Sequence, residues 1–176
     1  DTILNFIYQG SIEDGPSVGI AYSDEFDQVR FQYKCNMAGN DSALIYIIKY
    51  YGPTPAQIID KIGGEQTEWT EFSIDVPGGT CDSIFIGFIS SDMDLEENVN
   101  FESWIEIDSV YFHNSFGDTP SLLPNYNMEN WSDISYQDID DWYSMNEFLF
   151  SLDTYGVTPS TDAYSGTYSL MLKANN

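Results

Sequence analysis

The chain has 176 residues with 5 Lys and Arg against 29 Asp and Glu, so its formal charge is −24 at pH 7. So few, scattered basic residues argue against nucleic acid and anionic membrane surfaces as partners, because both need clustered Lys and Arg. The single histidine, His113, argues against Ser-His-Asp hydrolases and His-rich zinc sites. Carboxylate chemistry, calcium binding or no chemistry at all remain.

The acidity does not indicate disorder, because 42% of the residues are hydrophobic and 16% are aromatic. The length fits one domain, 1–176, with a substantial apolar core. Neither a transmembrane helix nor a signal peptide is predicted, so we expect a mature or excised chain. Abundant Asn, Asp, Ser, Tyr and Thr with scarce Lys is typical of secreted bacterial surface modules, which predicts an extracellular or cell-surface location.

Alternating apolar and polar residues, rich in β-branched and aromatic side chains, recur along the chain, and helical periodicity is scarce. The predicted strands are Ile3–Tyr8, Val18–Tyr22, Gln28–Cys35, Ala43–Tyr50, Glu68–Val76, Ser83–Ser90, Trp104–His113, Glu147–Leu152 and Tyr168–Ala174. This pattern predicts an all-β fold, a two-sheet antiparallel β-sandwich of the jelly-roll, galactose-binding-like type. One segment, Pro55–Ile62, is predicted to be locally helical within a long connection that ends at Gly63 and Gly64.

Turn residues separate these strands, and one longer segment has a different character. Residues 114–126 contain Pro and Gly without alternation, which predicts a linker. Residues 1–113 are then the larger part of the sandwich, and 127–176 supply the strands that complete it. Within that second part, the acidic stretch 132–155 is expected to form long surface loops. The predicted turns are Ala38–Asp41, Tyr51–Pro53, Pro77–Gly79 and Ser165–Thr167.

Two cysteines, Cys35 and Cys81, each lie at the end of a predicted strand. They permit one disulfide in an oxidising compartment, and equally two buried free thiols. Both alternatives stay open at this point.

Three short motifs resemble those of calcium-containing jelly-roll carbohydrate-binding modules and of related carbohydrate-metabolism domains of bacterial surface proteins. Asn127–Trp131 reads Asn-Met-Glu-Asn-Trp, like the first strand of these modules, and Tyr164–Leu170 reads Tyr-Ser-Gly-Thr-Tyr-Ser-Leu, like a strand entry. Ile107–Val110 resembles the last strand, with Ser109 where the family has a second Asp. Further similar segments are Asp141–Trp142, Val29–Lys34, Asn40–Ala43 and Trp69–Phe72.

The order of these motifs is permuted, because the family's opening, at 127–170, follows its ending at Asp108. The chain is then a circular permutant, a piece cut across a tandem array, or separate polypeptides joined under one numbering. All three alternatives predict that residues 127–174 complete the sandwich begun by 1–113, with the two termini close together.

The resemblance implies one structural Ca²⁺ that ties the first and last strands together. It places carboxylate ligands at Glu129 and Asp108, with carbonyl oxygens from the turn at Ser165 and Gly166. The alternative is that both carboxylates are solvated at strand ends. The acidic run Asp92–Glu97 lacks the glycine of an EF-hand loop, so we interpret it as a solvated loop.

Exposed aromatic side chains could form a platform on which the apolar faces of sugars stack. Three tryptophans, Trp69, Trp131 and Trp142, are expected in the core because of the strand pattern and the family's packing positions. Trp104 shares a strand face with two carboxylates and is expected to point away from the core. The predicted ligand-binding residues are Trp104, Tyr50, Tyr51, Tyr136 and Tyr143.

These features predict a non-catalytic carbohydrate-binding module of a secreted or cell-surface bacterial protein. Its expected partners are a glycan and the other modules of a larger protein, with no nucleic acid and no membrane insertion. A structural or adhesive spacer repeat that binds no sugar is the alternative. A glycoside hydrolase is the third hypothesis, but among 29 carboxylates some pair has a suitable separation by chance.

Overall fold

The computed structural model describes residues 6–9, 19–52, 54–92, 102–117, 121–132, 138–144 and 156–173. Among these residues, no helix has the length and apolarity needed to cross a bilayer. The strands are β1 (Phe6–Gln9), β2 (Ile20–Ala21), β3 (Gln28–Asn36), β4 (Ser42–Tyr51), β5 (Thr54–Gly63), β6 (Glu65–Asp75), β7 (Ser83–Ile89), β8 (Trp104–His113), β9 (Ser121–Leu122), β10 (Trp131–Ser132), β11 (Asp138–Ile139), β12 (Tyr143–Ser144), β13 (Val157–Ser160) and β14 (Ser169–Lys173).

The strands form two antiparallel sheets that pack against each other, which confirms the predicted all-β sandwich. Sheet I has the order β12-β1-β7-β4-β5, with β2 also paired to β7. Sheet II has the order β13-β14-β8-β3-β6, with β9 also paired to β8. The short strands β10 and β11 pair with each other in a separate ribbon.

The core lies between the sheets because inward-facing positions alternate with outward-facing ones along each strand. Ile45 and Ile47 of β4 belong to the same buried cluster as Phe31 of β3 and Ile107 of β8, and all four side chains are almost completely buried. Each such side chain contributes about 1.5–3 kcal/mol through removal of apolar surface from water.

A bulge in β8 keeps this alternation in step with the core. Asp108 pairs with Gln32, but Arg30 pairs with Tyr111, so two residues of β8 lie opposite one residue of β3. Ser109 has a positive φ of 54° at this point. As a result Ile107 and Val110, three positions apart, both face the core.

The predicted helical turn at Pro55–Ile62 is wrong, because these residues belong to β5. Strand β5 pairs with β4 in an unbroken register from Tyr51 opposite Thr54 to Ser42 opposite Gly63. Strands β4 and β5 therefore form a β-hairpin. Pro55 is tolerated because β5 is an edge strand, with one neighbour among the described strands.

The chain passes directly from β5 to β6 at Gly64, which has a φ of +79°. Because β5 belongs to sheet I and β6 to sheet II, this strand pair connects the two sheets along one side of the sandwich. The Gly64 carbonyl also accepts the Met37 N–H at 2.8 Å, which anchors the bend to the loop after β3.

The strands that follow residue 113 join both sheets. In sheet II, β14 pairs with β8 and β9 also pairs with β8, so the predicted linker contains a short strand. In sheet I, β12 pairs with β1 within the predicted loop stretch. The two chain termini and the predicted strand Glu147–Leu152 lie outside the described residues.

Candidate functional site

The predicted ligand-binding aromatic residues lie in different parts of the sandwich. Trp104 starts β8 on the outer face of sheet II, and Tyr50 lies on the outer face of sheet I opposite Pro55. Tyr51 packs partly against the core, and its hydroxyl donates to the Pro77 carbonyl at 3.4 Å. The remaining two are Tyr136, which lies outside the described residues, and Tyr143, which is in β12 at the edge of sheet I.

Tyr143 is the end of a row of aromatic rings on the outer face of sheet I. Its ring stacks on Tyr8 with centroids 5.3 Å apart, and Tyr8 stacks on Phe85 at 5.2 Å. The Phe85 ring lies beside Gly87, where a Cβ atom would come within 3.1 Å of it. Tyr143 is 54% exposed, so this row presents an aromatic surface at the sheet edge.

A cavity of about 400 Å³ lies beside Tyr143. It lies near the end of β1 and the start of β2. These two strands pair with successive parts of β7. The described residues that line it are Gln9, Gly19, Ile20, Pro124, Asp141, Trp142 and Tyr143.

Two residues in the lining of this cavity each carry a buried polar atom that has no hydrogen-bond partner among the described residues. One is Oε1 of Gln9, a residue that is 1% exposed, and the other is Nε1 of Trp142, which is 4% exposed. The orientation of the Gln9 amide is fixed, because its Nε2 donates to the Pro124 carbonyl at 2.8 Å and that oxygen can only accept. An acceptor and a donor are therefore left unsatisfied at one cavity.

The strand register explains why these two groups are neighbours. Tyr8 pairs with Tyr143 and Ile7 with Ser144, and continuing this register one position beyond the start of β12 would set Gln9 opposite Trp142. Both side chains face inward, and the Trp142 ring packs against Phe88. An unsatisfied buried polar group costs about 1–3 kcal/mol, so a polar molecule that bonds either group is favoured at this position.

The backbone around the cavity is also unusual. Asp141 has a φ of +67°, which places its backbone in the left-handed region that residues other than Gly adopt rarely. Gly19 has a φ of +105°, and a Cβ atom there would collide with the Ile84 carbonyl oxygen. Sparsely populated conformations of this kind concentrate at binding sites, where the surrounding structure maintains them.

The four residues predicted to bind calcium meet at the turn between β13 and β14. Oδ2 of Asp108 accepts the N–H groups of Tyr164 and Ser165, both at 3.0 Å. Oε1 of Glu129 accepts the N–H groups of Thr167 and Tyr168 at 2.7 and 2.8 Å, and so lies against Gly166.

The donors at this turn decide how well it fits a cation. Calcium needs six to eight oxygen ligands, whereas this turn directs four backbone N–H donors at the two carboxylates. The Ser109 hydroxyl donates to Oδ1 of Asp108 at 2.9 Å and lies 3.2 Å from that of Ser165. As arranged, these residues form a hydrogen-bonded cap of the turn and do not present a preformed calcium site. Calcium therefore stays a prediction of the resemblance.

Burial raises the pKa of the Asp108 carboxyl, and the hydrogen bonds from Ser165, Ser109 and Tyr164 oppose this effect. Glu106, two residues earlier on the same strand face, is also buried. Burial raises its pKa too, and the Ser160 hydroxyl, which donates to it at 2.5 Å, opposes the rise.

Trp69 does not lie in the core, and that expectation is wrong. It is three residues from Phe72, so the two side chains point to opposite faces of β6. Its Nε1 donates to Asp162 at 3.2 Å, and the Lys34 ammonium, 5.2 Å from its ring, pairs with the same Asp162 at 2.6 Å. This hydrogen bond from Lys34 is the main cause of the lowered pKa of Asp162. The cluster anchors the 161–168 turn on sheet II.

The other two tryptophans agree with the expectation, since Trp142 is buried and Trp131 packs partly against the core.

The acidic run that begins at Asp92 does not begin as a solvated loop. Asp92 is buried, its carboxylate pairs with Lys61, and its N–H donates to Asp41 at 3.1 Å. The adjacent ends of β4 and β7 enclose it; the rest of the run lies outside the described residues.

Lys49 is buried within the core and is 0% exposed. Its ammonium donates to the carbonyls of Phe26, Pro77 and Gly79 at 3.1, 2.6 and 3.1 Å, and it lies 3.8 Å from the Phe26 ring centroid. Burial lowers its pKa, and the nearby Cys81 and Asp27 oppose that effect. The ammonium thus connects three loop carbonyls beneath sheet I.

The two cysteines are separate buried thiols. Cys35 lies against the Gly64 carbonyl and Cys81 against that of Tyr22, each at 3.7 Å. Burial raises both thiol pKa values, so neither thiol is an activated nucleophile.

Comparisons with protein-family models, curated proteins and solved structures find no match to this chain. Function must therefore be argued from the chemistry of the site itself. Sequence reasoning missed Gln9, although a signal was present: in the alternating strand it shares the inward face with Ile7. A polar residue at a core position needs a partner.

Proposed function

We propose that this protein is a non-catalytic carbohydrate-binding module of a secreted or cell-surface protein, and that the cavity beside Tyr143 is its binding site. The observation that carries the proposal is the buried pair of unsatisfied groups, Gln9 Oε1 and Trp142 Nε1, at one cavity.

A sugar hydroxyl matches this pair, because one hydroxyl donates one hydrogen bond and accepts others. It would donate to Gln9 Oε1 and accept from Trp142 Nε1. Each bond contributes about 0.5–1.5 kcal/mol net and also removes the cost of a buried unsatisfied group. A purely apolar ligand would leave both groups unsatisfied.

The surroundings also suit a sugar. Tyr143 also lines the cavity, and its exposed ring on the outer face of sheet I would supply an aromatic surface for the apolar C–H face of a second sugar unit, next to the one bound at Gln9 and Trp142. Asp141 adds a carboxylate that accepts hydrogen bonds from further hydroxyls. The volume of about 400 Å³ lies within the range of small-molecule sites, roughly 300–1,000 Å³.

Binding is favoured over glycoside hydrolysis at this cavity. Most glycosidases use two carboxyl groups about 5–9.5 Å apart, one as acid and one as base or nucleophile. Among the described lining residues Asp141 is the one carboxylate. The unsatisfied donor and acceptor favour a binding module over a spacer repeat, because they offer directed hydrogen bonds to a polar ligand.

The test is affinity electrophoresis of the purified protein through gels that contain soluble polysaccharides of different backbones. We expect retardation by at least one polysaccharide and its loss in Tyr143→Ala. Trp142→Phe keeps an aromatic ring against Phe88 but removes the N–H donor, and we expect it to weaken retardation about five- to tenfold.

Tyr164→Ala is the matched control, because Tyr164 is 53% exposed but lies in the turn on sheet II. It should be retarded like the unaltered protein. Melting curves check that each variant is folded. If no polysaccharide retards the protein, or if Tyr164→Ala loses retardation while Tyr143→Ala keeps it, the proposed site is wrong.

A further inference from the structure

We infer that the cavity selects sugars by charge: it takes neutral sugars and amino sugars, and it rejects sugars that carry a carboxylate or sulfate. This inference rests on the proposed function and names the ligand class of the same site. Its basis is the distribution of charged side chains around the cavity and through the fold.

The five basic side chains of the chain all belong to the described residues, and each lies away from the cavity lining. Three of these basic side chains form ion pairs. They are Arg30–Glu71 and Lys34–Asp162 on sheet II, and Lys61–Asp92, in which Lys61 belongs to β5. The other two are Lys49, which is held by carbonyls in the core, and Lys173, which lies on β14 of sheet II.

The charged side chain among the described lining residues is that of Asp141. An anionic ligand group would therefore lose hydration beside a carboxylate and gain no cation in return. Loss of hydration disfavours an unpaired charge, and a like charge about 4 Å away adds about 1 kcal/mol where the carboxylate is exposed to water, as Asp141 is. Proteins that bind anionic sugars use Arg or Lys for this reason.

An ammonium group meets the opposite conditions. It can donate to Gln9 Oε1, which lacks a donor, and it is attracted by the Asp141 carboxylate. It cannot accept from Trp142 Nε1, but the neighbouring hydroxyls of an amino sugar can. We therefore expect an amino sugar to bind at least as tightly as its neutral parent.

The experiment uses two matched series of probes that differ in one charged group. The first is D-glucose, D-glucosamine and D-glucuronate, and the second is the corresponding set with the D-galactose configuration. Each probe is titrated into the millimolar range against the ¹⁵N-labelled protein, and the indole N–H resonance of Trp142, assigned with Trp142→Phe, reports binding.

We expect the neutral sugar and the amino sugar of at least one series to shift this resonance, with the uronate at least about tenfold weaker. Asp141→Asn should reduce that discrimination, because it removes the local charge. Salt near 0.5 M shortens the screening length to about 4–5 Å and suppresses the field of the whole acidic protein, so discrimination that persists there is local to the cavity.

The outcomes separate the two proposals. A uronate that binds within threefold of its neutral parent overturns the charge selection and leaves sugar binding intact. Discrimination that vanishes at high salt also overturns it, since the selection then comes from the net charge. If no sugar of either series shifts the Trp142 resonance, the proposed function fails and the ligand class fails with it.

Discussion

Replacement of Lys49 by Met tests whether its buried ammonium stabilises the fold. The substitution keeps an unbranched side chain of similar size and removes the positive charge. In the native structure the ammonium donates to the carbonyls of Phe26, Pro77 and Gly79 and lies against the Phe26 ring. All of these interactions are lost in Lys49→Met.

The expected magnitude follows from these contacts. Three acceptors lose their shared charged donor, and a hydrogen bond to a charged group contributes about 1.5–3 kcal/mol, so the three together contribute roughly 5–9 kcal/mol. The Pro77 and Gly79 contacts are only partly buried, so water can replace the donor there. The variant also avoids the desolvation of a charge, which returns several kcal/mol. We expect a net loss of about 2–4 kcal/mol, or roughly 4–16 °C in Tm for a domain of this size.

Thermal melting by circular dichroism measures the effect, and urea unfolding gives the free energy directly. The control is Lys173→Met, because Lys173 is exposed on the edge-proximal strand β14 and should change stability by less than about 0.5 kcal/mol. A Lys49→Met protein as stable as the unaltered protein, or more stable, would refute the reasoning. It would mean that desolvation of the ammonium outweighs its three hydrogen bonds.

Burial raises the pKa values of Glu106 and Asp108 in the folded protein, so protonation of these carboxyls stabilises the fold. This stabilisation is complete below the pKa values of the unfolded chain and is lost as pH rises through those of the folded protein. We expect a higher Tm at pH 5 than at pH 7.5. This rise in Tm should be smaller in Glu106→Gln than in the control Glu68→Gln, at an exposed position. Equal rises in the two variants would contradict the role of Glu106. Gly166→Ala should lower stability by about 1–3 kcal/mol, because φ is +72° and the new Cβ would collide with Glu129. A Gly78→Ala control should have a smaller effect. Because backbone N–H groups already bond the carboxylates of Asp108 and Glu129, we expect EDTA to leave the Tm unchanged. A fall in Tm that Ca²⁺ reverses would establish the cation that the resemblance implies.

The sandwich was predictable because alternation depends on the side-chain period of strands and needs no tertiary information. The error at β5 has a clear cause. The segment Pro55–Ile62 contains Pro and Ala and is bounded by glycines, a composition that indicates a short helical turn. In the fold, pairing of ten residues with β4 outweighs this local preference.

The candidate site was predictable in part. Tyr143 was identified as an exposed aromatic, but its proximity to Gln9 and Trp142 depends on the pairing of β1 with β12. More than 130 residues separate those strands in sequence, and no local pattern specifies that register. The prediction that Trp69 lies in the core is wrong for a simpler reason. Residues three positions apart on a strand point to opposite faces of the sheet, so Trp69 cannot share the core face with Phe72.

The continuous passage from β5 to β6 also bears on where copies of this acidic domain could pair at high concentration. Long, flat edge strands are where sheets add strands from other molecules. Here one side of both sheets is formed by a single chain segment that bends at Gly64 and carries Pro55 and many carboxylates. The edge strands described on the opposite side are short, with two residues in β12 and four in β13, including Pro159. The long edges β5 and β6 are therefore where crowded copies of the domain can pair, and Pro55, the carboxylates on these strands and the net charge of −24 all oppose such edge-to-edge growth.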